Sequence, residues 1–386
     1  MLVTIAVNII PYFANQSFGA SNIKSDSESA QGVKLVSEPG DEKISNKSNF
    51  MVAPDFKITG EALNVNSSQQ PITLNNLKGK VVLVNFWTYS CINVLRTLPY
   101  LIDWNSKYSD EGLVIVGVHT PEFEFEKNIG NLESAVKRYG IKYPVIQDND
   151  HKTWNSYANN YWPRMYLVDD QGYIRYDKVG EGDYNQTEMA IQSLLSERNS
   201  KMGIGTVDSN TKSAYAGRSV DNQSNISSFL AQSVDFSKIK TPELYFGYNS
   251  KYSSLGNPDG FHPQQVIEYT IPSNSNIKPN TIYLEGEWKN NPDNMELQSE
   301  SGKIILTYSA KSVNLVAGGL GYGTVYEDNS LLSDNSKGAD VVNESQFLID
   351  GPRMYNIINH QTYSGTHSLI IDVKGKGFQA YTFTFG

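Results

Sequence analysis

Four consecutive aliphatic residues, Val81-Val82-Leu83-Val84, run into Asn85-Phe86-Trp87, and this segment most limits how the chain can fold. A strand that is apolar at successive positions has no face to give to water and needs cover on both sides. Leu113 to Val118 is a second such run. Between them, Val94, Leu95, Leu98, Leu101 and Ile102 recur at helical spacing within Val94 to Lys107, where Pro99 is expected to kink the helix. Ile129, Leu132, Val136 and Tyr139 mark another helical face, closed by Gly140. Arg164 to Asp169 and Tyr173 to Val179 flank Asp170-Gln171-Gly172, a hairpin signal, and a last helix is expected over Thr187 to Arg198. The succession strand, helix, strand, helix, hairpin, helix reads as an α/β sheet with helices on its faces.

The pattern then changes. Residues 199–240 are rich in Ser and Asn and read as a linker. From Thr241 onward, short alternating segments are parted by turn residues: Thr281–Leu284, Lys303–Tyr308, Ser312–Val316, Gly323–Glu327, Gln346–Ile349, Met354–Ile358, Ser368–Val373 and Phe378–Phe385. No helical period interrupts them, so residues 241–386 are expected to form an all-β sandwich, jelly-roll-like. At the other end, Leu2 to Ile10 is mostly apolar with small residues by Gly19 and Ala20, although no Lys or Arg precedes it. Residues 1–20 therefore read as an incomplete export signal, too short for a membrane span of ~20 apolar residues. Residues 21–52 read as a polar tether and 53–198 as the α/β domain.

A net charge of −9 with no basic run argues against nucleic acid as a partner. No zinc motif, phosphate loop or Ser/His/Asp arrangement is evident, so neither a metal nor a cofactor is expected. Asp148-Asn149-Asp150-His151 resembles a metal cluster, but it lacks EF-hand spacing and is expected to cap a helix beginning near Thr153. The single cysteine, Cys91, excludes any intramolecular disulfide. Its setting is the informative part. It follows the buried strand by a short loop and opens a helix, where unpaired N–H groups favour a thiolate, and a depressed thiol pKa is expected.

Phe86-Trp87-Thr88-Tyr89-Ser90-Cys91-Ile92-Asn93 followed by Arg96-Thr97-Leu98-Pro99-Tyr100 resembles the thioredoxin superfamily, most closely the TlpA-like redoxins that act outside the cytoplasm. Gly117-Val118-His119-Thr120-Pro121-Glu122-Phe123, Tyr161-Trp162-Pro163 and the C-terminal Tyr381-Thr382-Phe383-Thr384-Phe385-Gly386 narrow the match. They resemble the soluble C-terminal half of DipZ-type cytochrome c biogenesis proteins, over roughly Ala53 to Gly386. The resemblance implies a thioredoxin-like fold and an extracytoplasmic location. It also implies a cis bond at Pro163 facing the cysteine, and a substrate groove formed by Trp87, Ile92, Asn93, Trp162 and Pro163. Its implied partners are exported protein thiols or disulfides, or a membrane thiol-transfer protein. The family's β domain resembles carbohydrate-binding modules, which makes Trp288, Tyr245, Tyr248, Tyr322 and Tyr355 a candidate sugar-stacking set. The same aromatics also suit a sandwich core.

One departure changes the chemistry. The family motif C-x-x-C reads Cys91-Ile92-Asn93-Val94, so the resolving cysteine is Val94. Without it, a mixed disulfide at Cys91 cannot be released by internal attack. Asn85 stands six residues before Cys91, where typical thioredoxins carry an Asp. His119, Glu122 (with Glu124 and Glu126) and Arg164 are candidate auxiliaries. Three readings stay open: a monothiol oxidoreductase, a non-catalytic pseudo-redoxin that binds partner proteins, and a one-Cys peroxiredoxin-like peroxidase. The last draws on Thr88-Tyr89-Ser90-Cys91 and Arg164, but Val84 replaces its upstream Pro.

Overall fold

The computed structural model describes residues 50–65, 71–205, 234–273 and 277–386. The expected export segment, all of the tether but its last residues and most of the linker lie outside the described residues. The first sheet holds β1 (Ala62–Leu63), β2 (Val81–Trp87), β3 (Leu113–His119), β4 (Val145–Gln147), β5 (Arg164–Val168) and β6 (Ile174–Val179) in the order β1-β4-β3-β2-β5-β6. All seven residues of β2 are buried. It runs parallel to β3 and antiparallel to β5, as a strand covered on both faces must sit centrally. The helices are α1 (Ile92–Leu95), α2 (Leu98–Tyr108), α3 (Ile129–Arg138), α4 (Lys152–Ser156) and α5 (Tyr184–Met202). Alternate β2 residues feed different cores. Val81, Leu83 and Trp87 join Leu98, Leu101 and Trp104 of α2 and Ile191 and Leu195 of α5. Val82, Val84 and Phe86 pack with Phe56, Trp154 and Tyr157 on the opposite face. This is the thioredoxin-like α/β layout.

Two boundaries differ from the sequence expectation. The helix read over Val94 to Lys107 is two helices broken at Arg96–Thr97, and Pro99 lies in the first turn of α2 instead of kinking a continuous rod. A first-turn N–H has no intrahelical acceptor, so proline loses nothing there. The last helix starts at Tyr184, ahead of the expected Thr187, passes the expected end at Arg198 and stops at Gly203, whose φ of 67° supplies the left-handed cap.

The second half is built from β7 (Leu244–Tyr245), β8 (Val266–Tyr269), β9 (Tyr283–Asn290), β10 (Met295–Leu297), β11 (Ser301–Tyr308) and β12 (Ser312–Gly318). It continues with β13 (Tyr322–Glu327), β14 (Ser330–Leu331), β15 (Gln346–Leu348), β16 (Arg353–Asn359), β17 (His367–Lys374) and β18 (Gln379–Phe385). The twelve strands form one sheet: nine follow the path β14-β13-β17-β11-β9-β10-β18-β12-β16, while β15 pairs with β13, β7 with β18 and β8 with β9. The sandwich is thus a single sheet curled into a half-barrel, with β9 serving both layers. Its first residues pair with β11 and its later ones with β10 and β8. The bend falls at Gly286, φ 104°, where a Cβ would come within 3.0 Å of the Ser301 carbonyl oxygen.

Both sheets belong to one compact unit. Phe123 and Phe125 meet the ring of Tyr381 at 5.3 and 4.7 Å, and Val316 and Met354 of the β domain join the α/β core cluster. Arg138 pairs with Asp350 across the same boundary at 3.3 Å. The aromatics grouped as a sugar platform do not share a face. Trp288 and Tyr355 are core residues with no exposure, which corrects that expectation for both. Tyr322 is exposed, Tyr248 bonds Gln264, and Tyr245 turns to the other domain.

Candidate active site

The site begins where β2 ends. Trp87 gives way to Thr88-Tyr89-Ser90, and Cys91 is the N-cap of α1 with extended backbone, its carbonyl accepting from the Leu95 N–H at 3.0 Å. Cys91 is a free, half-buried thiol. Val94, one turn on, has no exposure. The loop is held by one buried side chain, Glu126. Its Oε1 accepts from the Thr88 hydroxyl and, at 2.7 Å, from the Ser90 hydroxyl. Its Oε2 accepts the backbone N–H groups of Glu122 and Phe123 at 2.6 and 3.1 Å. Among the three carboxylates after β3, Glu126 is therefore a brace and not a solvated acid. On the other side, Arg96 makes a two-pronged pair with Glu181 at 2.9 and 2.8 Å and donates to Asn93 Oδ1 at 2.8 Å, which fixes Asn93 beside the cysteine.

Pro163 precedes β5, and the Trp162–Pro163 bond is cis. The register Phe86↔Arg164 places Pro163 level with Trp87, at the end of the sheet from which the Cys91 loop leaves. The Trp162 indole N–H donates to the Thr120 carbonyl at 3.1 Å, tying this segment to the loop after β3.

The β domain contributes the remaining neighbours. The Tyr245 hydroxyl donates to Glu122 Oε1 at 2.6 Å and lies 3.3 Å from Glu243 Oε2. Burial, together with Glu243 and Glu126, lifts the Glu122 carboxyl to about 8, so it is mostly protonated at neutral pH. Cys91 is shifted in the direction opposite to the sequence expectation. Burial pushes its thiol up, and the carboxylates of Glu243 and Glu122 add to the shift. Glu243 is itself exposed, so solvent screens its charge and burial is the leading cause. The helix that was to favour the thiolate has four residues, too few to sum a large dipole.

Several candidates are placed away from this chemistry. Trp87 and Ile92 lie in the core at 0% and 1% exposure, so they do not line an open groove, while Asn93 and Trp162 stay half-exposed. His119 is fully buried with its ring stacked on Tyr89. Neither of its nitrogens has a partner, and burial lowers its pKa to about 3, so it is a neutral core residue and not a proton acceptor. Asn85 is likewise buried with its amide unpartnered. Arg164 is held two-pronged by Asp177 at 2.9 and 2.6 Å, which corrects its assignment as a thiolate partner. Asp148 behaves as expected, accepting the N–H groups of Thr153 and Trp154 at 2.9 and 2.7 Å at the start of α4. Tyr245 and Glu243 went unrecognised as site residues, because nothing in the sequence links them to a loop so far upstream.

A raised thiol pKa sets the expected reactivity. Cys91 should alkylate more slowly at pH 7 than a free cysteine, whose pKa is ~8.5, and the rate should still be climbing at pH 9. Because Glu122 is charged only above about 8, Glu122→Gln should speed the reaction only at alkaline pH. Iodoacetamide rates from pH 6 to 10 check both points, and a plateau below pH 8 would contradict them.

Residues 241–386 match the family model described as thioredoxin like C-terminal domain, and residues 51–177 match the AhpC/TSA family. The protein DipZ of Mycobacterium tuberculosis is 35% identical over 338 residues, covering 86% of this chain and 43% of DipZ, and that of Mycobacterium bovis matches equally. The chain thus spans less than half the length of these curated relatives. The thiol-disulfide oxidoreductase YkuV of Bacillus subtilis is 28% identical over 145 residues, 37% of this chain and 95% of YkuV.

Proposed function

From a thioredoxin-superfamily fold closely related to the DipZ-type proteins, we propose that this chain is an extracytoplasmic monothiol redoxin. The observation that carries the reading is Cys91 at the start of α1 with an apolar, buried Val94 in the resolving place. The Cys91 thiolate attacks a partner disulfide, one partner sulfur becomes bonded to Cys91, and the other leaves as a thiolate. With no second thiol in the chain, the adduct waits for an external thiol. Exported proteins and a membrane thiol-transfer protein are the partners this chemistry suits. Half-exposed Asn93 and Trp162 are the residues we assign to partner contact, with buried Pro163 shaping the backbone beside them.

Non-catalytic partner binding is the second reading, and the upward shift of the Cys91 thiol is the observation that favours it. A peroxidase role has less support, since Arg164 is committed to Asp177. The test is to incubate the chain with an exported-protein fraction and run non-reducing gels. Monothiol exchange gives mixed disulfides that vanish in Cys91→Ser and outlast those of a dithiol redoxin. Co-purification that survives Cys91→Ser, with no adducts, would replace it by the binding reading.

A further inference from the structure

At one rim of the curled sheet, four strand ends meet around a group of side chains that the redox reading leaves unused. Glu327 closes β13, His367 opens β17, and His360 follows β16 on the facing layer. Tyr308 closes β11 opposite His367. The ligand atoms of Glu327, His360 and His367 lie within 4.8 Å of one another. His360 Nε2 is 2.9 Å from Glu327 Oε1, and His367 Nδ1 is 3.8 Å from the same oxygen. Tetrahedral zinc with bonds of about 2.0–2.1 Å separates its ligand atoms by roughly 3.3 Å, so the two spacings to Glu327 Oε1 need shifts of only about half an ångström.

We propose that Glu327, His360 and His367 form a binding site for a divalent transition-metal ion of the zinc class. Two imidazoles and one carboxylate select this class over magnesium or calcium, which take oxygen ligands. The surrounding groups are those such a site needs. The far nitrogen of His367, Nε2, is 2.8 Å from Ser364 Oγ, a partner that orients the ring when Nδ1 ligates. The Tyr308 hydroxyl donates to Glu327. Asp328 Oδ2 sits 2.8 Å from His367 Nδ1, adding a second carboxylate next to the first. Among the described residues, the ion-pair partners of Glu327 and Asp328 are these two histidines alone. A dication between neutral imidazoles would balance the two negative charges. Access is open: the three side chains retain 11–16% exposure, and Ser364 also lines a cavity of about 230 Å³ with Lys238, Lys240 and Tyr363. On binding, a neutral His367 presents its unprotonated Nδ1 to the ion and carries its one ring proton on Nε2, towards Ser364 Oγ. No redox change is involved.

The test uses the full chain carrying Cys91→Ser, so that no thiolate competes. After chelator treatment it is titrated with Zn²⁺, and with Co²⁺ for the visible spectrum of a four-coordinate site. About one equivalent of Zn²⁺ should bind, and His360→Gln, His367→Gln and Glu327→Gln should each weaken binding by about tenfold or more. His262→Gln, at a distant loop, should bind as the parent does. Binding that is absent, or that is unchanged in all three site variants, overturns the proposal. If the variants do not fold, zinc X-ray absorption on the parent decides: two imidazoles with oxygen support the site, and a set without two imidazoles overturns it.

Discussion

Val94→Cys is expected to form a 91–94 disulfide under oxidising conditions and to reduce insulin-like disulfides with dithiothreitol. Turnover should exceed that of the natural chain on the order of 10²-fold, because an internal thiol resolves the mixed disulfide at a high effective concentration. The frame for that ring is already present. Position 94 lies three residues along from Cys91 in α1, on the same face. Its carbonyl is fixed by the Thr97 hydroxyl at 2.7 Å. Exchanging a fully buried Val for Cys removes little volume and should cost about 1 kcal/mol. Full burial of residue 94 also hides the new thiol from outside reagents and leaves Cys91 as the attacking sulfur. The measurement is thiol counting before and after oxidation, followed by insulin turbidity. A folded Val94→Cys chain that keeps two free thiols would show that the loop has left redoxin geometry, and partner binding would then become the leading account.

Much of this frame was legible in the sequence because it rests on local pattern. β2 is apolar at nearly every position, so its central place followed from hydropathy alone. The Cys91 loop and Pro163 were found through the motif resemblance and not through periodicity. What stayed hidden depends on tertiary packing. β7, β10 and β14 have two or three residues each, too short to show a period of two. His119 and Arg164 carry the residue types of catalytic groups, but burial neutralises the first and Asp177 occupies the second. The thiol shift had the wrong sign for a related reason. The sequence shows a helix start, which favours the thiolate, but it does not show the desolvation that outweighs it, nor the nearby carboxylates of Glu243 and Glu122 that add to the shift. Tyr245 is the clearest case: an apparent candidate for sugar stacking hydrogen-bonds Glu122 beside the cysteine.

Glu126→Ala is expected to have the largest effect on stability of any single change at the site. The variant leaves two hydroxyls and two backbone N–H groups without their acceptor. Hydroxyls can rotate towards other acceptors, but the backbone N–H groups, of which that of Phe123 is buried, cannot, so a loss of about 3 kcal/mol follows from an unsatisfied-donor cost of ~1–3 kcal/mol each. Burial pushes the Glu126 carboxyl up while these four donors pull it down. A ring of donors fits an ionised acceptor best. Glu126→Gln separates the two causes. Its amide keeps one oxygen for the paired N–H groups and turns NH₂ towards hydroxyls that can accept, so it should lose about 1 kcal/mol. Urea unfolding measures both variants. Cys91 alkylation should rise in Glu126→Ala, since Thr88 and Ser90, just before the half-buried thiol, would lose their anchor. Equal stability of Glu126→Ala and the natural chain would mean that the loop is held by the packing of Tyr89 against His119, and that the carboxylate is not its brace.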